Sequence, residues 1–377
     1  MLKKLRAILL AVLCCPSLAG FGPAPAGKEV SVETVVREDT KFGAATTGLS
    51  QEMMEAAGFQ LGDSVDIAFE NGYTLEDVPY FDGYYVKVGE PVLVAYPAKT
   101  FVFVTYNNEG IWKKAGLTEG EKAKITLHEA GAYAALQEAL SQSYAVVRED
   151  FPSEESFCNF RALSGGTLKA DLLYRGASPV DNTPERSADT DALLKQKGIR
   201  LILDLADSEE DLAGYRASAE FNSPYAASLQ AEGKLIPLSL SFDYRSADFR
   251  QKVAAAFREI CRADGPIYIH CMEGKDRTGF VCMLPEALAG ASYEELLADY
   301  MTTYRNYYGV TAEETPEKYE AIAALYFDPF CSCLLGGEDL PKEELRSASY
   351  AEAAAAYLSS GGMTEAELAA LKAFITE

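Results

Sequence analysis

Residues 266–270 form a short apolar run that reads as a buried strand, and from Thr278 onward the spacing reads as helix. Seven residues, Cys271 to Arg277, join the two, so the strand must hand the chain almost directly to a helix N-terminus. Similar runs stand upstream. Residues 198–204 are apolar and β-branched and follow a helix-like stretch at 190–197; residues 234–240 hold another strand, and residues 249–263 have helical spacing. This alternation predicts a parallel or mixed sheet flanked by helices from about residue 151. Beyond the loop the chain reads as helix with breaks near Gly309, Gly336-Gly337 and Gly361-Gly362, and Thr364 and Glu367 have capping-box spacing.

The joining loop carries chemistry. It reads Cys271-Met272-Glu273-Gly274-Lys275-Asp276-Arg277, with His270 before it and Thr278 and Gly279 after it. Five residues between Cys and Arg let the backbone curl so that its N–H groups converge on one anion. The helix N-terminus adds orphan N–H groups and the positive end of a dipole. The same field suits a nucleophilic thiolate at Cys271. Arg277 can place a bidentate fork on two phosphate oxygens, and Thr278 can donate its hydroxyl to the sulfur. His270 is expected to hold the loop by hydrogen bonds.

These residues resemble the cysteine-based protein tyrosine phosphatase superfamily, in particular bacterial tyrosine phosphatases whose loop reads His-Cys-x-x-Gly-Lys-Asp-Arg-Thr-Gly. Residues 173–178, 198–205 and 300–308 fit that family too, so the resemblance spans roughly 150–330 and the helices that follow. It implies a phosphatase fold, a mixed α/β sheet flanked by helices. It also implies hydrolysis of phosphomonoesters through a phosphocysteine, with Cys271, Arg277 and Thr278 in the roles above and no metal or other cofactor. Such enzymes need an aspartate to protonate the leaving oxygen, on a loop after an earlier strand. Asp243 is the first candidate, Asp248 the second, and Asp276, inside the phosphate loop, the third; the Trp-Pro-Asp form of that loop is absent. Arg175 has three readings: a phosphate ligand, a partner of Asp204, or a structural ion pair.

Phosphotyrosine in a protein or peptide is the first substrate expected. Lys275 resembles phosphoinositide-cleaving members, which keeps phosphoinositides and inositol phosphates open, whereas Glu273 adds negative charge at the rim. A protein that captures phospho-ligands without turnover is the reading from another class. The aromatic run 300–308 has helical spacing and reads as core.

The resemblance does not reach the N-terminal region. Residues 27–45 read as an extended polar lead-in, and 46–130 favours strands, including 64–69, 84–88 and 100–106, with a helix at about 128–143. Two segments echo each other. Ala57-Gly58 to Gly62-Asp63 to Ile67 parallels Ala115-Gly116 to Gly120-Glu121 to Ile125, as two glycine corners of a small β-barrel or sandwich. The expected organisation is therefore an export segment at 1–26, a β-rich accessory domain at 27–148 and a phosphatase domain at 149–377.

The export segment rests on Lys3, Lys4 and Arg6 before the apolar run 7–15, with small-residue cleavage sites after Ala19 and Ala26. It implies a secreted or cell-surface protein; Cys14 and Cys15 raise a lipid anchor, although Leu13 stands where a small residue is wanted. No other stretch approaches membrane length. The net charge of −23 repels nucleic acid and anionic headgroups, so nucleic acid is not an expected partner. An anionic substrate must then be held by locally concentrated positive charge. The six remaining cysteines, Cys158, Cys261, Cys271, Cys282, Cys331 and Cys333, allow disulfides, yet Cys331-Ser332-Cys333 is too tight for ordinary zinc pairing and the chain has 2 histidines, so no metal is expected.

Overall fold

The computed structural model describes residues 30–376 apart from 41, 98, 108, 142–146, 183 and 184; the expected export segment 1–26, with Cys14 and Cys15, lies outside the described residues. Two sheets organise the chain. The first is a closed barrel of β1 (Ser31–Asp39), β2 (Ala44–Thr47), β3 (Ser64–Phe69), β4 (Thr74–Phe81), β5 (Pro91–Val94), β6 (Phe103–Tyr106) and β7 (Lys122–Glu129). Its ring order is β1-β2-β6-β5-β4-β3-β7, antiparallel except for the parallel β4–β5 pair. The two glycine corners are real: Gly62 and Gly120 both take positive φ, at 91° and 78°, and each opens a strand. The strands they open, β3 and β7, pair with each other in a register that sets Ile67 opposite Ile125.

Three sequence expectations fail in this region. The lead-in contributes two barrel strands, β1 and β2; β1 is largely open to solvent with only Val36 buried, so the alternation that marks a strand is weak. Residues 84–88 form no strand: the Val86 carbonyl accepts from Asn107 Nδ2 at 2.7 Å instead of from a neighbouring strand, and Tyr85 and Val86 are both buried in the cluster outside the barrel. The helix expected from 128 is Ala134–Leu140: β7 continues to Glu129, and a turn at Gly131 follows, its N–H bonded to Asp63 Oδ1 at 2.7 Å.

The second sheet has the order β11-β10-β12-β9-β8, from β8 (Arg161–Ala162), β9 (Leu173–Gly176), β10 (Leu201–Asp204), β11 (Leu235–Pro237) and β12 (Ile267–His270). β9 to β12 are parallel and β8 runs antiparallel at the edge. Side chains alternate across this sheet. Leu201, Leu203, Ile267 and Ile269 enter one apolar core, while Ile202, Tyr174 and Tyr268 enter the core on the opposite face. Helices cover both faces, as buried parallel strands require. They include Ser187–Lys197, Ala247–Ile260, Asp276–Leu288 and Tyr293–Tyr308. The breaks at Gly309, Gly336 and Gly361 and the capping box at Thr364 and Glu367 fall where expected.

The barrel shares a core with this layer. Tyr80, Leu93 and Val104 point into the barrel, whereas Phe81, Val92, Val94 and Phe103 point out into the apolar cluster that also holds Phe280, Tyr300 and Phe327. Each such side chain contributes roughly 1.5–3 kcal/mol when fully buried. Polar contacts join the same faces: Lys87 pairs with Asp339 at 2.6 Å, and Lys318 donates to the Ser141 carbonyl.

Among the described residues no helix is long and apolar enough to cross a membrane, and no group of His, Cys, Asp and Glu is arranged to hold a metal ion. Cys261, Cys282, Cys331 and Cys333 are free thiols, as are Cys158 and Cys271.

Candidate active site

The parallel strands end together. Register sets His270 beside Gly176 and Asp204, and Asp204 beside Pro237, so their C-terminal ends open on one crevice. The loop after β12 sits there and leads into the helix Asp276–Leu288.

Its backbone is braced from outside. The Met272 carbonyl accepts from the Ser178 N–H at 2.8 Å and the Glu273 carbonyl from the Tyr307 hydroxyl at 2.8 Å. The Gly274 carbonyl accepts from Arg175 Nη2 at 2.8 Å, and Asn159 Nδ2 reaches both the Glu273 and Gly274 carbonyls at 3.3 Å. The Lys275 carbonyl takes the Gly279 N–H at 2.8 Å. In a planar trans peptide the next N–H points opposite to the carbonyl. Carbonyls pulled outward at 272–275 therefore turn the N–H groups of 273–276 inward, making an anion cradle.

Glycine is required at the centre of this arrangement. Gly274 has φ 70°, and a Cβ there would lie 2.2 Å from the Gly176 carbonyl oxygen. At the helix start a Cβ on Gly279 would meet the Tyr300 ring at 2.9 Å.

The sequence candidates fall as follows. Cys271 is buried at the base of the loop. His270 is fully buried and its Nδ1 lies 3.1 Å from the Cys271 carbonyl, which can only accept, so Nδ1 carries the proton. Burial pushes this imidazole down to about 4, keeping it neutral. Arg277 donates from Nη1 to the Leu240 carbonyl at 3.1 Å and lies 4.6 Å over the Phe242 ring. Its Nε, and Thr278 Oγ1, are buried without a partner among the described residues. Each is therefore a polar group left open to bond a ligand. Met272, Glu273 and Lys275 are half-buried at the mouth, and Lys275 Nζ is 3.8 Å from Asp276.

The acid candidates separate. Asp243 is exposed and its Oδ1 accepts from the Arg245 N–H at 3.1 Å; its charge acts on Cys333 and Tyr357. Asp248 is exposed and pairs with Lys252 at 3.0 Å along its own helix. Asp276 opens the helix, and its charge acts on Tyr96, Tyr304 and Tyr326 around the loop mouth. Arg175 resolves as a structural ion pair, with Asp299 rather than Asp204. Burial opposes the charge of Asp299, yet Arg161 and Arg175 together hold its carboxyl below the usual range. Asp204 instead accepts the Ala206 and Asp207 N–H groups at 2.9 and 3.1 Å.

Asn159, Asp299 and Tyr307 were not legible as site residues. Asn159 holds a left-handed φ of 51°, which Asn tolerates better than most residues, but nothing in its neighbours marks a loop brace. The aromatic run is core as expected at Tyr300 and Tyr307, while the Tyr304 and Tyr308 rings also flank Lys275, each centroid 5.8 Å from Nζ.

Comparison with known proteins gives a family. The tyrosine phosphatase family profile matches residues 154–377, and no curated protein matches the chain. Solved structures are similar too, three of them as follows. The chain shares 17% identity with an uncharacterized conserved protein from Thermotoga maritima at a TM-score of 0.23, covering 29% of this chain and 42% of that one. TpbA of P. aeruginosa in complex with phosphotyrosine gives 15%, 0.28, and 52% and 94% coverage. The core catalytic domain of the PP-IP phosphatase SIW14 from S. cerevisiae gives 15%, 0.26, and 47% and 95%. The matched region holds the loop together with every side chain that braces it, and the chain belongs to the tyrosine phosphatase family.

Proposed function

We propose that the protein hydrolyses phosphotyrosine in proteins or peptides through a phosphocysteine intermediate. The observation that carries this reading is the loop whose carbonyls at 272–275 are held outward while Arg277 Nε and Thr278 Oγ1 stay buried and unpartnered among the described residues. In the first step the Cys271 thiolate attacks phosphorus, the bond from phosphorus to the leaving oxygen breaks, and that oxygen takes a proton. In the second, water attacks phosphorus, gives up a proton, and the thiolate leaves with Thr278 donating to it. The inward N–H groups and Arg277 hold the three remaining oxygens throughout.

We assign the proton to Asp276 ahead of Asp243. Asp276 stands on the loop itself, whereas Asp243 is exposed beyond β11 with Oδ1 accepting the Arg245 backbone N–H, and its charge acts on Cys333 and Tyr357. Lys275 supports phosphotyrosine over polyphosphates, since Asp276 and Glu273 already offset its charge and tyrosine rings flank it. The export reading belongs to the proposal too, and N-terminal sequencing of mature protein would show cleavage after Ala19 or Ala26.

The test is phosphate release from phosphotyrosine peptide, phosphoserine peptide, phosphoinositide and inositol hexakisphosphate, with reductant and EDTA. Turnover on the first that survives EDTA and is lost in Cys271→Ser is the expected outcome. A folded wild type that binds phosphotyrosine peptide and turns over none of the four would make it a binding protein instead.

A further inference from the structure

We propose that the barrel completes the substrate site: Tyr84 and Tyr96 extend the ring of Tyr304, Tyr308 and Tyr326 around Lys275, and this wall selects an aromatic leaving group. The inference rests on the phosphatase reading above and adds to it a specificity element from outside the family-matched region.

A continuous path of contacts leads from the loop to the barrel. Tyr304 and Tyr308 lie against Lys275, with their own centroids 5.4 Å apart. Tyr304 stacks on Tyr326 at 6.1 Å and 22°. The Tyr326 hydroxyl donates to the Tyr84 carbonyl at 3.3 Å, and the Tyr84 ring packs on Tyr96 at 6.2 Å and Phe103 at 6.1 Å. Tyr84, Tyr96, Tyr308 and Tyr326 are half-buried, so none of the four is sealed in the core.

Electrostatics agree with this placement. Burial first, and then the charge of Glu273, pushes the Tyr96 hydroxyl up to about 12, while Lys275 acts in the opposite sense. Lys275 acts in that same sense on Tyr84 and Tyr326.

The segment is also held in place. Lys87 pairs with Asp339, Asn107 bonds the Val86 carbonyl, and Tyr85 and Val86 enter the shared core. A wall so anchored does not have to be ordered by the substrate, which preserves binding free energy. Tyrosine rings at a cleft mouth favour an aromatic group over an alkyl one, because ring pairs attract through edge and face beyond their buried area.

The test uses the full chain. For phosphotyrosine and phosphoserine versions of one peptide, kcat/KM is measured in wild type, Tyr84→Ala, Tyr96→Ala, Tyr96→Leu and Tyr96→Phe. Peptide affinity is measured in the Cys271→Ser background. Loss of the Tyr96 ring should lower the phosphotyrosine-to-phosphoserine ratio about tenfold, with Phe restoring it. Tyr96→Leu keeps apolar bulk, so it decides the matter if Tyr96→Ala melts early. An unchanged ratio in Tyr84→Ala and Tyr96→Leu, with wild type active, would overturn the barrel's role and leave the phosphatase reading intact. No turnover and no binding of phosphotyrosine by wild type would overturn both.

Discussion

The buried guanidinium of Arg175 donates from Nη2 to the Gly274 carbonyl at 2.8 Å while its Nη1 is paired with Asp299. One strand residue thus ties the sheet to the phosphate loop and to the helix Tyr293–Tyr308. Arg175→Met should leave Asp299 with Arg161 alone and the Gly274 carbonyl with only the longer bond from Asn159. Stripping a buried charge of its only partner costs about 3–5 kcal/mol, and with Arg161 still paired to Asp299 the loss here should fall below that range. Urea unfolding should report that loss, and kcat should fall even where the variant remains folded.

Gly274→Ala tests the cradle's geometry. The new Cβ would lie 2.2 Å from a backbone oxygen at a φ of 70°, so the loop rather than a side chain has to move. A displacement of about 1 Å at a reacting centre lowers rate roughly a hundredfold. Steady-state kinetics should show that fall, and orthovanadate should lose its protection against thermal unfolding.

The buried acids beneath the loop set a pH dependence. Asp207 is pushed up to about 7 by burial and by the charge of Asp204, which burial alone raises to about 6; Asp181, Tyr215 and His270 also face Asp207. A carboxyl raised in the folded state favours folding fully below its unfolded value near 3.9, and that contribution fades as pH rises through the folded value. His270, lowered to about 4, runs the other way across part of the same range. Comparing wild type with Asp207→Asn isolates the first effect. The variant's advantage in unfolding free energy, measured by urea denaturation, should grow from pH 5 to pH 8 and reach on the order of a few kcal/mol. An advantage that shrinks over that range would show that Asp207 is not held neutral.

Proton donation separates the two aspartates. Asp276→Asn should lower kcat for phosphotyrosine peptide by about a hundredfold or more, and much less for 4-nitrophenyl phosphate, whose leaving group needs little protonation. Asp243→Asn should change both by similar small factors. The reverse pattern would restore Asp243 to the role.

Much of the site was legible because it is local. Strand, loop and helix follow one another from Ile267 to Leu288, and the glycines that permit the tight backbone stand inside the motif. The braces were not legible because they arrive from distant elements: Asn159, Asp299 and Tyr307 meet the loop or Arg175 only through the fold. The barrel shows the same division. Its glycine corners are local and readable, but β1 buries only Val36 fully and β2 is a four-residue strand of small side chains, so neither carries a clear alternation. Alternation at 84–88 recorded packing against the helical layer, with Tyr85 and Val86 in the shared core, and not a strand.

The central claim is covalent catalysis at Cys271, and rapid acid quench of the turning-over enzyme followed by peptide mass analysis tests it most directly. The expected result is one phosphoryl group on the peptide containing Cys271, formed within a single turnover and absent in Cys271→Ser. Full turnover with no phosphoryl group on Cys271, or a Cys271→Ser variant as active as wild type, would contradict it.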